Sequence, residues 1–200
     1  MRISPDNKEH AQLEDDVTNY LEQRGFCVAD APYHNTMRTK VVKTLQYTTT
    51  PTSLYIRTRA DRIAIRDNPP LVFQWEAKTH QSKEKHDCVI ELTPILFHLA
   101  LVDYDVRCLY VYRDLYKGYD AGFWMHNFPK VRSIMIPDCW NQYWTKWFKD
   151  LCVATLPETE VVSGIVSRGT GDPFLIIDES IIRKLSSWKN LIKEVIAGAL

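Results

Sequence analysis

The spacing of apolar residues predicts a first helix over about residues 6–24. Apolar side chains recur there at three- and four-residue steps, namely at Ala11, Leu13, Val17, Tyr20 and Leu21. Such spacing places side chains on one helix face. Ser4, Pro5 and Asp6 offer a start signal and Gly25 a stop signal, so the helix is well bounded at both ends. The short apolar segment 26–29 then indicates a strand.

An extended segment, a turn and a second extended segment predict a β-hairpin in the middle of the chain. Residues 53–58 and 60–66 are extended in pattern, and residues 71–78 form an apolar strand that ends in Glu76, Ala77 and Lys78. Between residues 66 and 71 stands Asp67-Asn68-Pro69-Pro70, a combination typical of turns. The two strands are therefore expected to lie antiparallel.

A second helix and a further strand complete an α, β, β, β, α, β order. Thr93 and Pro94 have the chemistry of a helix start, which predicts a helix over 93–102. The alternating segment 106–112 indicates a strand that is buried on both faces. Farther along, we expect a helix over 139–151 capped by Asp138, a loop at 169–173 and a final amphipathic helix over 180–197. The predicted class is α/β, with a central mixed sheet flanked by helices.

Length and composition favour one soluble domain over residues 1–200. The chain has 200 residues, and 45% of them are hydrophobic, which is enough for a sizeable core. We expect a core over about 9–113 and a C-terminal helical extension over about 114–200. Apolar runs are too short to span a bilayer, and five cysteines without a C-x-x-C pair are typical of reduced thiols. A cytoplasmic location without membrane association is expected.

The charges balance, so any polyanion must be bound by local clusters. Lys plus Arg and Asp plus Glu number 25 each, which excludes a global positive field. Residues 34–60 contain no carboxylate but several basic residues, and residues 78–86 hold a second basic cluster. From these clusters we expect contacts to nucleic acid at Arg38, Lys40, Lys43, Arg59, Lys83 and Lys85.

Charged side chains suited to metal binding and catalysis meet at the open end of the predicted hairpin. Asp61 begins one strand, while Glu76, Ala77 and Lys78 end the other. Alternation along the second strand puts Glu76 and Lys78 on one face. Two carboxylates suit Mg²⁺, and the lysine can orient the attacking water or offset charge on a phosphate. The hairpin therefore predicts a metal site that suits chemistry at a phosphate.

This arrangement resembles the PD-(D/E)XK nuclease superfamily, whose restriction-endonuclease-like core is an αβββαβ unit with an acidic residue on one hairpin strand and (D/E)-x-K on the next. The resemblance covers about residues 9–113. It implies that Asp61 and Glu76 bind the metal, that the Ala77 carbonyl is a further ligand and that Lys78 is the catalytic lysine. Glu14 matches the extra acidic position of the branch with archaeal Holliday-junction resolvases and RecB-like nucleases. Ala60 stands where the family has proline, and residues past Asp114 do not match.

The resemblance implies a Mg²⁺-dependent deoxyribonuclease, with Mn²⁺ as a substitute, that acts on DNA by metal-activated water. A homodimer closed by the terminal helix is one option that the superfamily commonly uses. The competing hypothesis is a non-catalytic nucleic-acid-binding or assembly subunit on the same fold. A zinc module built on His80, His86 and Cys88 is a third.

Two further features of the sequence, Glu14 and an aromatic stripe, each have two interpretations. Glu14 also fits an ordinary solvated helix face, since acidic residues are frequent along the first helix. Aromatic residues at helical spacing form a stripe on the predicted helix: Trp140, Tyr143, Trp144, Trp147 and Phe148. We interpret this stripe as a face that packs on the core, although it could also stack on bases.

Overall fold

The computed structural model describes residues 5–30, 60–80, 87–140, 144–164 and 172–198. The helices are α1 Pro5–Glu22, α2 Leu92–Val102, α3 Lys146–Thr155, α4 Glu179–Ile182 and α5 Trp188–Ile196. The strands are β1 Cys27–Asp30, β2 Arg62–Arg66, β3 Leu71–His80, β4 Cys88–Glu91, β5 Cys108–Asp114, β6 Tyr119–Trp124, β7 Ser133–Pro137, β8 Glu160–Gly164 and β9 Phe174–Ile177. Short 3₁₀ turns lie at Met125–Asn127 and Asp138–Trp140.

The first sheet has the strand order β1-β2-β3-β5-β6, with β3 in the middle. Strands β2 and β3 form the predicted antiparallel hairpin, in which Arg62 is opposite Trp75 and Arg66 is opposite Leu71. On its other side β3 runs parallel to β5, with α2 in the crossover between them. The α/β class and the αβββαβ order are confirmed, with β4 added between β3 and α2.

A second sheet has the order β4-β9-β7-β8. Strands β7 and β8 are parallel, whereas β9 is antiparallel to both β4 and β7. Three of its four strands come from the region past Asp114, so this extension contains strands as well as the expected helices. Each of the four strands has only four or five residues, which leaves little periodicity for a sequence pattern to show.

Helices α1 and α5 cover one face of the first sheet. Leu13, Val17 and Leu21 of α1 share a core with Trp188 and Ile192 of α5. Strand β5 alternates between two cores: Leu109 and Val111 face the helices, while Cys108, Tyr110 and Tyr112 join the residues of the second sheet. The five-stranded sheet is thus buried on both faces at β5. Within the described ranges, no helix is both long and apolar enough to cross a membrane.

The C-terminal helices differ from the expected pattern. The prediction that Asp138 caps a helix over 139–151 is wrong, because Asp138 starts a single 3₁₀ turn. The helix begins later, where the Thr145 side chain accepts a hydrogen bond from the Phe148 N–H. The expected helix over 180–197 is two helices, because Asp178 and Ser187 each cap a new N-terminus.

The aromatic stripe is divided between core and surface. Trp140 and Phe148 are fully buried, as expected for a core face, whereas Trp147 is 45% exposed. Tyr143 lies outside the described residues.

Close packing at Gly122 gives a stability prediction. A Cβ atom at Gly122 would lie 3.0 Å from Trp188 Cβ and 3.1 Å from the Tyr110 carbonyl oxygen, and the latter is backbone that cannot easily move. We expect Gly122→Ala to lower the free energy of unfolding by about 1–3 kcal/mol, measured by urea denaturation. Gly164→Ala is the matched strand control, since the atoms nearest to its added Cβ lie 3.9 Å away or farther. Equal losses in both variants would contradict this packing.

Candidate functional site

The site begins where the β2–β3 ladder stops. Asp61 precedes the last pair, Arg62 with Trp75, and two side-chain hydrogen bonds continue the contact between the strands. The Asp61 N–H donates to Glu76 Oε2 at 3.0 Å, and the Ala77 N–H donates to Asp61 Oδ2 at 3.1 Å. Each carboxylate is therefore fixed by the backbone of the opposite strand, and the two acidic groups lie side by side.

Lys78 joins this pair from the end of β3. Its Nζ donates to Glu76 Oε1 at 2.7 Å, as expected for residues two positions apart on one strand face. Burial opposes the charged form of Lys78, but the charges of Glu76, Glu91 and Asp61 outweigh it and raise the pKa of Lys78 above its ordinary value. Lys78 is thus an ammonium group at neutral pH.

Helix α1 brings Glu14, and with it His10, to the same place. His10 Nε2 lies 3.1 Å from Glu14 Oε1, and Arg62 donates to Glu14 Oε2 at 3.1 Å. One potential ligand atom each from His10, Glu14 and Asp61 lies within 4.8 Å of the others. Glu14 is therefore part of the cluster rather than only of a solvated helix face.

His10 and Arg62 were not among the predicted site residues. The four-residue spacing of His10 and Glu14, about one helical turn, was a signal that could have pointed to His10. Ala77 contributes its N–H to Asp61, and its carbonyl as a ligand stays a prediction. Six predicted contacts to nucleic acid lie outside the described residues: Arg38, Lys40, Lys43, Arg59, Lys83 and Lys85.

The electrostatics show an excess of negative charge. Burial, together with the charge of Glu76, raises the pKa of Asp61 to about 7. The hydrogen bond between His10 and Glu14 raises the pKa of His10 and, aided by Arg62, lowers the pKa of Glu14. Both raised pKa values favour a proton on Asp61 and on His10, and a cation could take the place of these protons.

The donor set fits a divalent metal ion. Carboxylate oxygens are the ligands that Mg²⁺ and Mn²⁺ prefer, and imidazole nitrogen is accepted by Mn²⁺. Asp61 and Glu14 with His10 would hold such an ion. Both Glu76 oxygens accept hydrogen bonds, one from Asp61 and one from Lys78, so Glu76 would reach an ion only after a side-chain adjustment.

The similarity of this chain to known proteins is one of structure and not of sequence. No family model and no curated protein matches the sequence at a significant level. Among solved structures, the chain is similar to Hjc, a Holliday junction resolvase from Archaeoglobus fulgidus, described at 1.6 Å resolution. The match covers 92% of this chain and 96% of that chain, with 9% identity and a TM-score of 0.46. The order of helices and strands in this chain is itself the basis for its fold class.

The raised pKa of Asp61 predicts how stability depends on pH. Without metal, the folded state keeps a proton on Asp61 between about pH 4 and pH 7 that the unfolded chain releases. Stability from this group is therefore complete below pH 4 and is lost as the pH rises through 7, by at most about 1.4 kcal/mol per pH unit. Asp61→Asn removes this loss, so its stability relative to wild type should increase from pH 5 to pH 8.

Urea unfolding with a chelator at both pH values measures this difference. Lys130→Gln, at an exposed position, controls for a general change of charge. Parallel pH profiles for wild type and Asp61→Asn would contradict the assigned environment of Asp61.

Proposed function

We propose that this chain is a divalent-metal-dependent nuclease that hydrolyses phosphodiester bonds of DNA, with Mg²⁺ as the ion and Mn²⁺ as a substitute. The convergence of Asp61, Glu76 and Lys78, together with Glu14 from α1, carries the proposal. Asp61 and Glu76 contact each other's strand within 3.1 Å, and Lys78 is 2.7 Å from Glu76. An acidic pair with a charged lysine suits attack on a phosphate.

The residues divide the chemistry among them. A bound divalent ion would offset phosphate charge and lower the pKa of a water molecule. Asp61, Glu14 and His10 would hold that ion. Glu76 fixes the Lys78 ammonium group at the end of β3, where the positive charge of Lys78 would stabilise the negative charge that grows on the phosphate during attack. The raised pKa of Lys78 favours this role over that of a proton acceptor.

The same convergence favours an enzyme over the non-catalytic alternatives. A binding or assembly subunit whose acidic residues no longer meet would not need Asp61 and Glu76 within hydrogen-bond reach of the opposite strand. For the zinc alternative, the group of potential metal ligands among the described residues is His10, Glu14 and Asp61, and this group contains no cysteine. Cys88 is fully buried, and His86 lies outside the described residues.

Substitutions at the site separate metal binding from catalysis. Lys78→Ala should reduce cleavage by about 10²–10³-fold, the usual loss when one charge-stabilising group is removed, while calorimetry still detects metal binding. Asp61→Ala should abolish both, because it removes a ligand. Lys130→Ala, 72% exposed, is the matched lysine control.

The assay uses single-stranded, duplex and four-way-junction DNA with Mg²⁺, Mn²⁺ or a chelator. Cleavage that requires the ion and is lost in Asp61→Ala supports the proposal. If none of these substrates is cut under any metal condition, the nuclease assignment fails.

The charge pattern along the sequence predicts how DNA is held. Arg38, Lys40 and Lys43 stand in an interval without carboxylates, so they are expected to contact phosphates and release counterions. Replacing all three by Ser should weaken DNA binding independently of base sequence. The slope of log K against log salt should flatten by up to about 3 units.

A triple variant of exposed lysines, Lys130, Lys184 and Lys193 to Ser, removes the same charge elsewhere on the described surface. Fluorescence anisotropy over a salt series compares the two proteins. An unchanged slope in the Arg38, Lys40 and Lys43 variant, or an equal change in the control, would place the DNA contacts on other residues.

A further inference from the structure

Arg62 lies beside the candidate metal ligands and connects two elements. It follows Asp61 directly and is fixed in the β2–β3 ladder opposite Trp75. Alternation along β2 turns its side chain away from the Asp61 side and toward α1. Its guanidinium group contacts Glu14 Oε2 at 3.1 Å and Asp30 Oδ1 at 2.6 Å. The group thus bridges α1 and β1.

This bridge decides which Glu14 oxygen remains for an ion. Oε2 accepts the Arg62 hydrogen bond, whereas Oε1 faces His10 at 3.1 Å. Oε1 thus lies on the side of His10, which forms a group with Glu14 and Asp61 whose potential ligand atoms lie within 4.8 Å of one another. An ion in that group could replace the His10 contact at Oε1 while the Arg62 contact at Oε2 is kept.

A second divalent ion at Glu14 would meet a permanent positive charge. An arginine does not lose its proton at any pH that the protein experiences. Asp30 holds the guanidinium through its other terminal nitrogen, so Arg62 cannot leave Glu14 without giving up that contact or stretching it. A fixed charge within about 4 Å of a second ion would weaken that ion's binding on the order of a hundredfold or more.

We propose that Arg62 is a positioning residue: it occupies Oε2 of Glu14 and thereby limits this centre to one divalent ion. The inference rests on the proposed metal centre and adds its stoichiometry. Arg62 takes the place that a second cation would need, so a single ion would be held by Glu14 Oε1 together with Asp61 and His10.

The test counts ions on the full-length, metal-free protein. Mn²⁺ is titrated, free Mn²⁺ is followed by its electron paramagnetic resonance signal, and calorimetry gives the affinity. Wild type should bind one equivalent, with any further binding about 100-fold weaker or more. Arg62→Gln should bind a second equivalent about 100-fold more tightly than wild type binds any second ion.

Arg66→Gln is the matched control. Arg66 lies on the same face of the same strand, and its guanidinium packs over the Phe26 ring at 5.3 Å, so its loss removes one arginine without touching Glu14. This control should bind one equivalent. Arg62→Lys, which keeps a positive charge next to Glu14, should also bind one.

The outcomes separate the two proposals. Wild type that binds no Mn²⁺ overturns the metal centre and the inference together. Wild type that cleaves DNA but binds two equivalents leaves the nuclease assignment intact and overturns the role of Arg62. One equivalent in Arg62→Gln also overturns it. Circular dichroism monitors folding, and Arg62→Met, which keeps the side-chain length, replaces the Gln variant if that variant does not fold.

Discussion

Two acidic side chains must lie together, largely out of water, at the end of one hairpin, and the rest of the site depends on how their charge is compensated. The β2–β3 ladder stops at the position where its next backbone N–H groups can serve the carboxylates of Asp61 and Glu76 instead. Those N–H groups and Lys78 provide enough donors to stabilise one of the two negative charges. The second charge is less well compensated, because burial and the charge of Glu76 raise the pKa of Asp61 to about 7. The remaining charge calls for a proton or a cation.

Helix α1 can contribute to this balance because the sheet holds it from two sides. Its apolar residues Leu13 and Val17 enter the core, while two arginines fix its polar side. Arg62 contacts Glu14, and Arg113 contacts Asp16 at 2.6 Å and Asp120 at 2.7 Å. The ion pairs come from β2 and β5, so the helix is oriented by both strands that flank β3. That orientation brings His10 and Glu14 to the open end of the hairpin.

Local periodicity in the sequence predicted the elements that carry the site, but it did not predict the second sheet, whose strands depend on contacts with distant residues. Helix α1, the hairpin and β5 carry clear three- to four-residue or two-residue patterns, so the sequence alone could place Asp61, Glu76 and Lys78 together. It could not place the second sheet, since short strands such as β9 at Phe174–Ile177 gain their stability from pairing with strands that are remote in sequence. Asp138 illustrates a related limit: it has the chemistry of a helix cap, but the helix starts at Lys146, after Thr145. Arg62 has no motif and is recognised only by its contacts.

The same dependence on distant contacts ties the C-terminal region to the site. Trp188, Ile192 and Val195 complete the core beneath β3 and β5, and the Trp188 indole N–H donates to Asp120 at 3.0 Å, the carboxylate that also holds Arg113. Strand β4, part of the second sheet, places Glu91 where its charge acts on Lys78. A segment that ended near Arg113 would lose the apolar cover that α5 provides and the antiparallel partner of β5. The αβββαβ unit therefore supplies the charged groups of the site, while the later strands and helices complete the apolar cores on the two faces of the sheet that carries them.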